Sequence, residues 1–573
     1  MMRWQLKNQA PADCVEKLQH ELKIPKAIAE LLAQRGIIDF ESSKYFFRPE
    51  LKDLHNPFLM QDMQKAVDRL VTALSKQEKI LIYGDYDVDG TTSVALMMYV
   101  LKNYSRNLDF YIPDRYAEGY GISFQGIDYA KKEGFSLIIA LDCGIKSADK
   151  IAYANGLGVD FIICDHHLPG EELPNAVAVL DAKRADCKYP YKELSGCGVG
   201  FKLLQALFQA QGWQEEPLYE ALDYCAVSIC CDIVPITGEN RILAYYGLKQ
   251  FNEKPKLGFA TLKKVSSQGN NEYSVSDVVF KIGPRINAAG RIESAKNAVK
   301  LLLADNVAIA ETWSKNLHLN NMSRREKDED ITFEAMEMID TCPIKQSSAS
   351  TIVYQGHWHK GVIGIVASRL VEKYYRPTLV FTNSQDKIAG SARSVKDFDI
   401  HWAIEQCSDL LETFGGHKYA AGLTLKPHNF EPFCERFERV VGENLAPELR
   451  IPELEIDTTL DLAELIDTQA SSQNQYPKFF RLLNQMAPFG PENMNPVFLS
   501  ERVKIENPQV LAEKHLRFSV CVGKERLKAI AFNMADKIQL LEESPSVKLA
   551  YQLEANDWQG VKRLQLQIKG IES

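Results

Sequence analysis

Five short apolar runs constrain this chain more than any other feature of its sequence. They are "KILIYGD", "LDFYIPDR", "SLIIALDCG", "VDFIICDHH" and "AVAVLDAK". Such runs, short and β-branched, read as buried strands. Segments of helical length separate most of them, so the pattern predicts a parallel sheet covered by helices. In that arrangement all strand C-termini share one edge. Asp85, Asp87 and Asp89 follow the first run, Asp142 the third, and Asp165, His166 and His167 the fourth. Asp232 in "CCDIVP" follows an apolar helical run and can reach the same edge. One acid at a strand end carries no information, but several clusters on one edge point to a divalent-metal site, where open α/β sheets place their ligands.

Asp85, Asp87, Asp89 and Gly90 also match the opening of a calcium loop, but that reading fails. Its twelfth position, which needs a bidentate Glu, is Leu96, and a strand rather than a helix precedes the loop. Carboxylates outnumber imidazoles and no thiolate set accompanies them, a mixture that favours manganese or magnesium over zinc. The acids exceed what one ion needs, so two ions sharing a bridging Asp are expected, the usual device for phosphoester hydrolysis.

The chain of 573 residues is long enough for several domains. After "SICCDIVP" it turns helical, with a long polar helix from about 306 to 340 that reads as a bridge between domains. A second α/β pattern follows ("STIVYQG", "GVIGIVASRLVEKYY", "PTLVFTN"), and beyond about 451 short alternating runs read as a small all-β barrel or sandwich. The expected divisions are residues 1–47 (helical segment), 48–245, 246–343 (linker with the long helix), 344–450 and 451–573. No apolar run is long enough to cross a bilayer, and the start lacks the apolar segment of a signal peptide. The 12 cysteines include no Cys-x-x-Cys pair, as expected of reduced thiols in a cytoplasmic protein. The net charge of -9 argues against indiscriminate nucleic-acid binding but leaves room for a local basic groove.

"GDYDVDG", "ALDCG", "CDHH" and "CDIVP", in that order, resemble the successive motifs of the DHH phosphoesterase superfamily. Within it, "PDRYAEGYG", "GPRINAAGR", "GHWHKGVIGIVASRL", "GSARS" and "FGGHKYAAG" are similar to the RecJ family of single-strand-specific DNA exonucleases. The resemblance implies a DHH catalytic domain and a DHHA1-like domain joined by the long helix, then an OB-like single-strand-binding barrel. It implies metal ligation by Asp85, Asp87, Asp89, Asp142, His166 and Asp232, with Asp142 bridging two Mn2+ or Mg2+ ions and His167 near the scissile phosphate. Many superfamily members have a His where this chain has Tyr83, which gives Asp85 added weight as a ligand. Asp165 is expected to orient His166.

Ser391 and Arg393 form a small anion-binding turn, and Arg suits bidentate phosphate recognition. The resemblance gives them the strand's 5′ phosphate, together with Arg285 or Arg291, both of which remain candidates; Arg115 is a further one. His417 is expected to face substrate. In the barrel, Lys514, His515, Arg517 and Phe518 form the expected strand-contact patch, and "SRREKDED" reads as a solvated helix face. The implied activity is metal-dependent 5′-to-3′ exonuclease action on single-stranded DNA in recombination and repair, by a monomer working beside a single-strand-binding protein and a RecQ-like helicase, away from membranes. A phosphodiesterase for small oligonucleotides and a non-catalytic scaffold are the alternatives. The barrel argues against the first and the retained acids against the second.

Overall fold

The computed structural model describes residues 2–267, 272–466, 475–558 and 561–573. The chain opens with strand β1 (Arg3–Leu6) and helices α1 (Ala12–Leu22), α2 (Lys26–Gln34) and α3 (Phe40–Phe47). The first sheet then forms from β2 (Ile80–Gly84), β3 (Leu108–Tyr111), β4 (Leu137–Leu141), β5 (Asp160–Cys164) and β6 (Ala178–Leu180). Its order is β3-β2-β4-β5-β6 and every pairing is parallel. Ile80, Ile82, Leu137 and Ile139 pack into the core on one face, and Leu81, Tyr83, Ile138 and Ala140 into that on the other. Burial on both faces is why these strands read as unbroken apolar runs. Counted from β2, the strand order reverses between the first and third strands. Beyond the carboxyl ends of β2 and β4 lies the crevice where doubly wound sheets bind ligands, and both strands end there in the predicted acids.

Helices α4 (Val88–Leu101), α5 (Gly196–Gln211), α6 (Leu222–Cys231) and α7 (Gly283–Ile292) surround this crevice or cover the sheet. The region expected to be a linker is part of the same core: Phe251, Phe259, Leu262, Ile286 and Leu302 pack in one cluster with Ile80 and Ile82. Residue 245 therefore marks no break in packing. Helix α8 (Val307–Asp340) is the predicted bridge. At about 1.5 Å per residue it is roughly 50 Å long. Ala310 and Leu317 lie in the first core, whereas Ile331, Ala335 and Ile339 pack with Val353, Val366 and Leu370 of the next domain.

That second domain holds β7 (Thr351–Tyr354), α9 (Ile363–Tyr374), β8 (Thr378–Ser384), β9 (Lys387–Arg393), β10 (Thr413–His417) and β11 (Ala420–Leu425), in sheet order β10-β11-β9-β8-β7. β12 (Glu453–Ile456) and β13 (Thr458–Thr459) follow. The terminal strands are β14 (Phe498–Val503), β15 (Ile505–Leu511), β16 (His515–Val522), β17 (Glu525–Ala531), β18 (Val547–Trp558) and β19 (Val561–Glu572).

The last seven of these strands, β13 to β19, form one mixed sheet, parallel at β13/β14 and β17/β19. The C-terminal region is built on strands as expected, though not on strands alone: helices Lys478–Asn484 and Ile538–Glu543 belong to it. Nor do residues 1–47 stand apart. β1 pairs with β12, and Val15, Leu18, Ile28 and Leu32 share a core with Leu516, Phe518 and Leu566. The amphipathic helices read correctly from sequence, but their partner is more than 400 residues away, which no local pattern reveals. Arg241 fastens this composite unit to the first domain by donating to the carbonyls of Met486, Ala487 and Phe46.

Leu18 is fully buried. Leu18→Ala is therefore expected to destabilise the C-terminal unit by about 2–5 kcal/mol. Thermal unfolding followed by fluorescence would reveal a lower first transition; an unchanged profile would contradict the shared core.

Candidate metal centre and phosphate pocket

The turn after β2 places the first three acids. Asp87 is the N-cap of α4, its Oδ1 accepting from the Gly90 amide at 3.0 Å. Gly90 is required because a Cβ there would lie 2.4 Å from the Asp85 carbonyl oxygen. Asp89, in the first helical turn, faces the N-terminus of α5. It accepts from the amides of Gly196 (2.7 Å) and Cys197 (2.9 Å) and from the Ser228 hydroxyl (2.8 Å). Asp142 ends β4 with φ 58°, in the left-handed region, and a Cβ on Gly196 would stand 2.6 Å from the Asp142 Cβ. Backbone strain of this sort, about 1–3 kcal/mol, gathers at functional sites. The stretch "LSGCGVG", to which the sequence alone assigned no role, thus orients Asp89 and makes room for Asp142; its signal was a glycine-rich helix start.

His166 Nε2 lies 3.2 Å from Asp142 Oδ1, 3.4 Å from Asp232 Oδ2 and 3.8 Å from Asp89 Oδ2. Ligand atoms of Asp142, His166 and His167, and likewise of Asp89, His166 and Asp232, fall within 4.8 Å of one another. Asp85 and Asp87 enter neither trio, although their charges act on Asp142. The predicted centre therefore assembles around His166, with Asp85 and Asp87 beside it. Tyr83 plays no ligand role: its hydroxyl is buried in the opposite core and donates to the Gly121 carbonyl at 3.0 Å.

The residues fit divalent metal. Asp85 Oδ2, Asp142 Oδ1, Asp232 Oδ2 and both His166 ring nitrogens are buried and make no hydrogen bond. Burial, and then the neighbouring carboxylates, push the Asp85, Asp142 and Asp232 carboxyls well above the usual range. Burial likewise makes a proton on His166 unfavourable. An oxygen-rich, nitrogen-poor set of this kind suits Mn2+ or Mg2+.

Asp165 departs from expectation. Its Oδ1 bonds Nδ1 of His167 at 2.7 Å, not His166, while its Oδ2 accepts from the Ile145 amide. The same Oδ1 accepts from the backbone amides of His166 (2.7 Å) and His167 (3.2 Å), a local turn that brings it against the His167 ring. Burial opposes its charge, but the His167 hydrogen bond holds the Asp165 carboxyl down at about 2. In return, against the effect of burial, Asp165 raises the His167 imidazole. Nε2 of His167 meets the Tyr120 hydroxyl at 3.1 Å.

The arginines divide. Arg291 donates to the Gly361 carbonyl of the second domain at 2.9 Å. Burial, followed by Arg115 and Arg324, brings its guanidinium down to about 10. Arg393 is depressed by burial and then by Arg115. Ser391 and Arg393 lie on strand β9, paired on both sides, and not in the expected turn, so alternation sets their two side chains on one face; Gly364 at the start of α9 packs so closely that a Cβ would sit 2.9 Å from Ser391 Oγ. Arg115 lies over the Tyr86 ring, 4.7 Å from its centroid. Among the described residues, none of Arg115, Arg291, Arg324 and Arg393 forms an ion pair with a carboxylate. Arg285 turns elsewhere, toward His318 Nδ1 (3.3 Å) and the Lys281 carbonyl.

Arg324 was hidden in a stretch read as a solvated face; its Nε is buried without a partner, and only the fold of α8 against α7 brings it to Arg291. His417 lies exposed on the β10–β11 hairpin, near enough to Lys146 and His167 that, after burial, their charges lower it. In the barrel, Lys514 and Arg517 are exposed and His515 half-buried, but Phe518 is 2% exposed and belongs to the core. Side chains on β16 alternate between faces, so His515 and Arg517 share one face while Phe518 turns to the other, into the core. Phe532, 45% exposed, stands edge-on to His515 instead.

Residues 79–229 match the DHH family N-terminal domain, 348–443 the DHHA1 domain and 466–570 the RecJ OB domain. Fold and acidic centre together define a DHH-type phosphoesterase. The chain is 35% identical to the single-stranded-DNA-specific exonuclease RecJ of Bacillus subtilis (strain 168), over 99% of this chain and 70% of that protein. It is 34% identical to that of Salmonella typhimurium, with 96% of both chains covered. The crystal structure of RecJ from Thermus thermophilus in complex with Mn2+ superposes with a TM-score of 0.84 at 28% identity, covering 100% of this chain and 80% of that one. The chain belongs to the RecJ family.

Because Asp142 is held against like charges, Asp142→Asn is expected to raise the metal-free melting temperature by about 2–4 °C. It should also remove the stabilisation that Mn2+ gives the parent protein. A calorimetric scan with and without Mn2+ checks both; a retained metal shift would contradict the ligand assignment.

Proposed function

We propose that the chain removes nucleotides from the 5′ end of single-stranded DNA, with two divalent ions at the Asp85–Asp232 centre. The observation that carries this reading is the pairing of two opposite charge excesses in one cleft: unsatisfied carboxylates at the rim of the first sheet, and unpaired guanidinium groups shared between both α/β domains. When bound, the ions supply a nucleophile from water and offset the charge that develops on phosphate.

The protein's own groups do the rest. Asp89, Asp142, His166 and Asp232 hold their donor atoms in place, aimed by α5 and by the left-handed turn at Asp142. Asp165 accepts Nδ1–H of His167 and favours the protonated ring, and only that imidazolium donates from Nε2 to a phosphate oxygen. Arg115, Arg291, Ser391 and Arg393, joined by Arg324, take the terminal 5′ phosphate, a dianion that suits several buried cations better than a diester does. Of the two arginines left open by the sequence, Arg291 is favoured because Arg285 is engaged elsewhere. Lys514, His515 and Arg517 on the barrel contact the incoming strand. A role in recombination and repair fits this activity, in which the chain would act as a cytoplasmic monomer beside a single-strand-binding protein and a RecQ-like helicase. Among the described residues no helix is long and apolar enough to span a membrane.

Digestion of 5′- and 3′-labelled single strands with Mn2+, Mg2+ or chelator tests the reading. The 5′ label should be released first as a mononucleotide, chelator should stop the reaction, and Asp142→Ala should abolish it. Arg291→Gln should raise KM roughly tenfold for 5′-phosphorylated strands and much less for 5′-hydroxyl strands. Release from the 3′ end, or equal effects on both kinds of end, would contradict it.

A further inference from the structure

Large apolar side chains stand in solvent around the metal centre. Leu168 directly follows His167 and is 65% exposed; Ile233 directly follows Asp232 and is 79% exposed. Tyr120, whose hydroxyl meets His167, is 54% exposed. His166 Nε2 and Asp232 Oδ2 are 3.4 Å apart, so the two segments that carry Leu168 and Ile233 share one rim. Neither residue joins any hydrophobic core of the described chain.

Ile233 is the more telling of the two. Asp232 caps the C-terminus of α6, and Ile233 occupies the next position with φ 60°. Glycine or asparagine usually fills that left-handed place. For a β-branched residue it is a strained conformation, and among the described residues its side chain joins none of the hydrophobic cores. Strain that persists beside a metal ligand, on a side chain that touches no core, points to a partner from outside.

The chemistry of the rim limits what that partner is. Leu168 and Ile233 offer no donor to a phosphate and no ligand to a metal. A single strand drawn to this centre brings nucleobases with bare faces next to its phosphates, whereas duplex bases have theirs covered by stacking. We propose that Ile233 and Leu168, with the Tyr120 ring, grip the nucleobase beside the scissile phosphodiester and thereby contribute to selection of single strands. This inference rests on the exonuclease reading above.

The test compares Mn2+-loaded full-length parent, Ile233→Gly and Leu168→Ala on two single strands: one intact, the other carrying an abasic site next to the first scissile bond. Release of the 5′ nucleotide by the parent at all supports the exonuclease reading separately. The parent should favour the intact strand in kcat/KM by roughly tenfold, and both variants should bring that ratio toward one. Ile233→Gly should also unfold at the same or a higher temperature, since glycine relieves the backbone, and should keep its Mn2+-induced shift. A parent indifferent to the missing base would overturn the proposal. So would variants that keep the parent's ratio, whatever happens to their absolute rates.

Discussion

Mutual repulsion among buried carboxylates is the constraint around which this molecule is organised. Asp85, Asp89 and Asp142 are almost fully withdrawn from water, and Asp87 and Asp232 crowd against them. Removing a charge from water is costly, and placing like charges together adds to the cost. The fold meets this with fixed backbone devices. The α5 N-terminus offers amides to Asp89, Asp142 turns inward through its own left-handed backbone, and a helix end delivers Asp232. A sheet buried on both faces supplies the rigidity that keeps these devices in register.

Charge of the other sign is arranged by the same logic at the junction of the two α/β domains. Arg115 and Arg291 come from the first and Arg393 from the second, with Arg324 on the helix that links them. The Arg291 bond to the Gly361 carbonyl, and that of the Tyr116 hydroxyl to the Arg291 carbonyl (2.7 Å), tie this cluster to the domain contact itself. Binding a terminal phosphate and holding the two domains together are therefore one structural problem. The spacing between the metal centre and the phosphate pocket then follows from rigid elements, and no loop has to find it.

What could be read in the sequence was whatever depends on local period and on strand ends. The five strands of the first sheet and the convergence of Asp142 and His166 follow from short apolar runs stopping at acids and imidazoles, Asp232 from the end of an apolar helix, and the long bridge from an unbroken polar helical stretch. Contacts between distant segments stayed hidden. α1 and α2 look like a free helical preamble until the C-terminal core closes on them. Arg324 sits in a charge run whose helical face cannot be assigned without its neighbour α7. Asp165 was matched to the wrong imidazole because a local turn after β5, in which its carboxylate accepts from the His166 and His167 amides, carries it to His167. Phe518 was misjudged because side chains alternate along β16, which turns it into the core. Gly196 carried a signal that could have been used, since glycines at a helix start permit close approach to an acid.

The central claim is that this rim exists to hold divalent cations. Anomalous scattering at the manganese edge from crystals grown with Mn2+ tests it most directly. The account predicts difference peaks among Asp89, Asp142, His166 and Asp232, with Asp85 and Asp87 bordering them. A map with manganese elsewhere and none at this rim would contradict it.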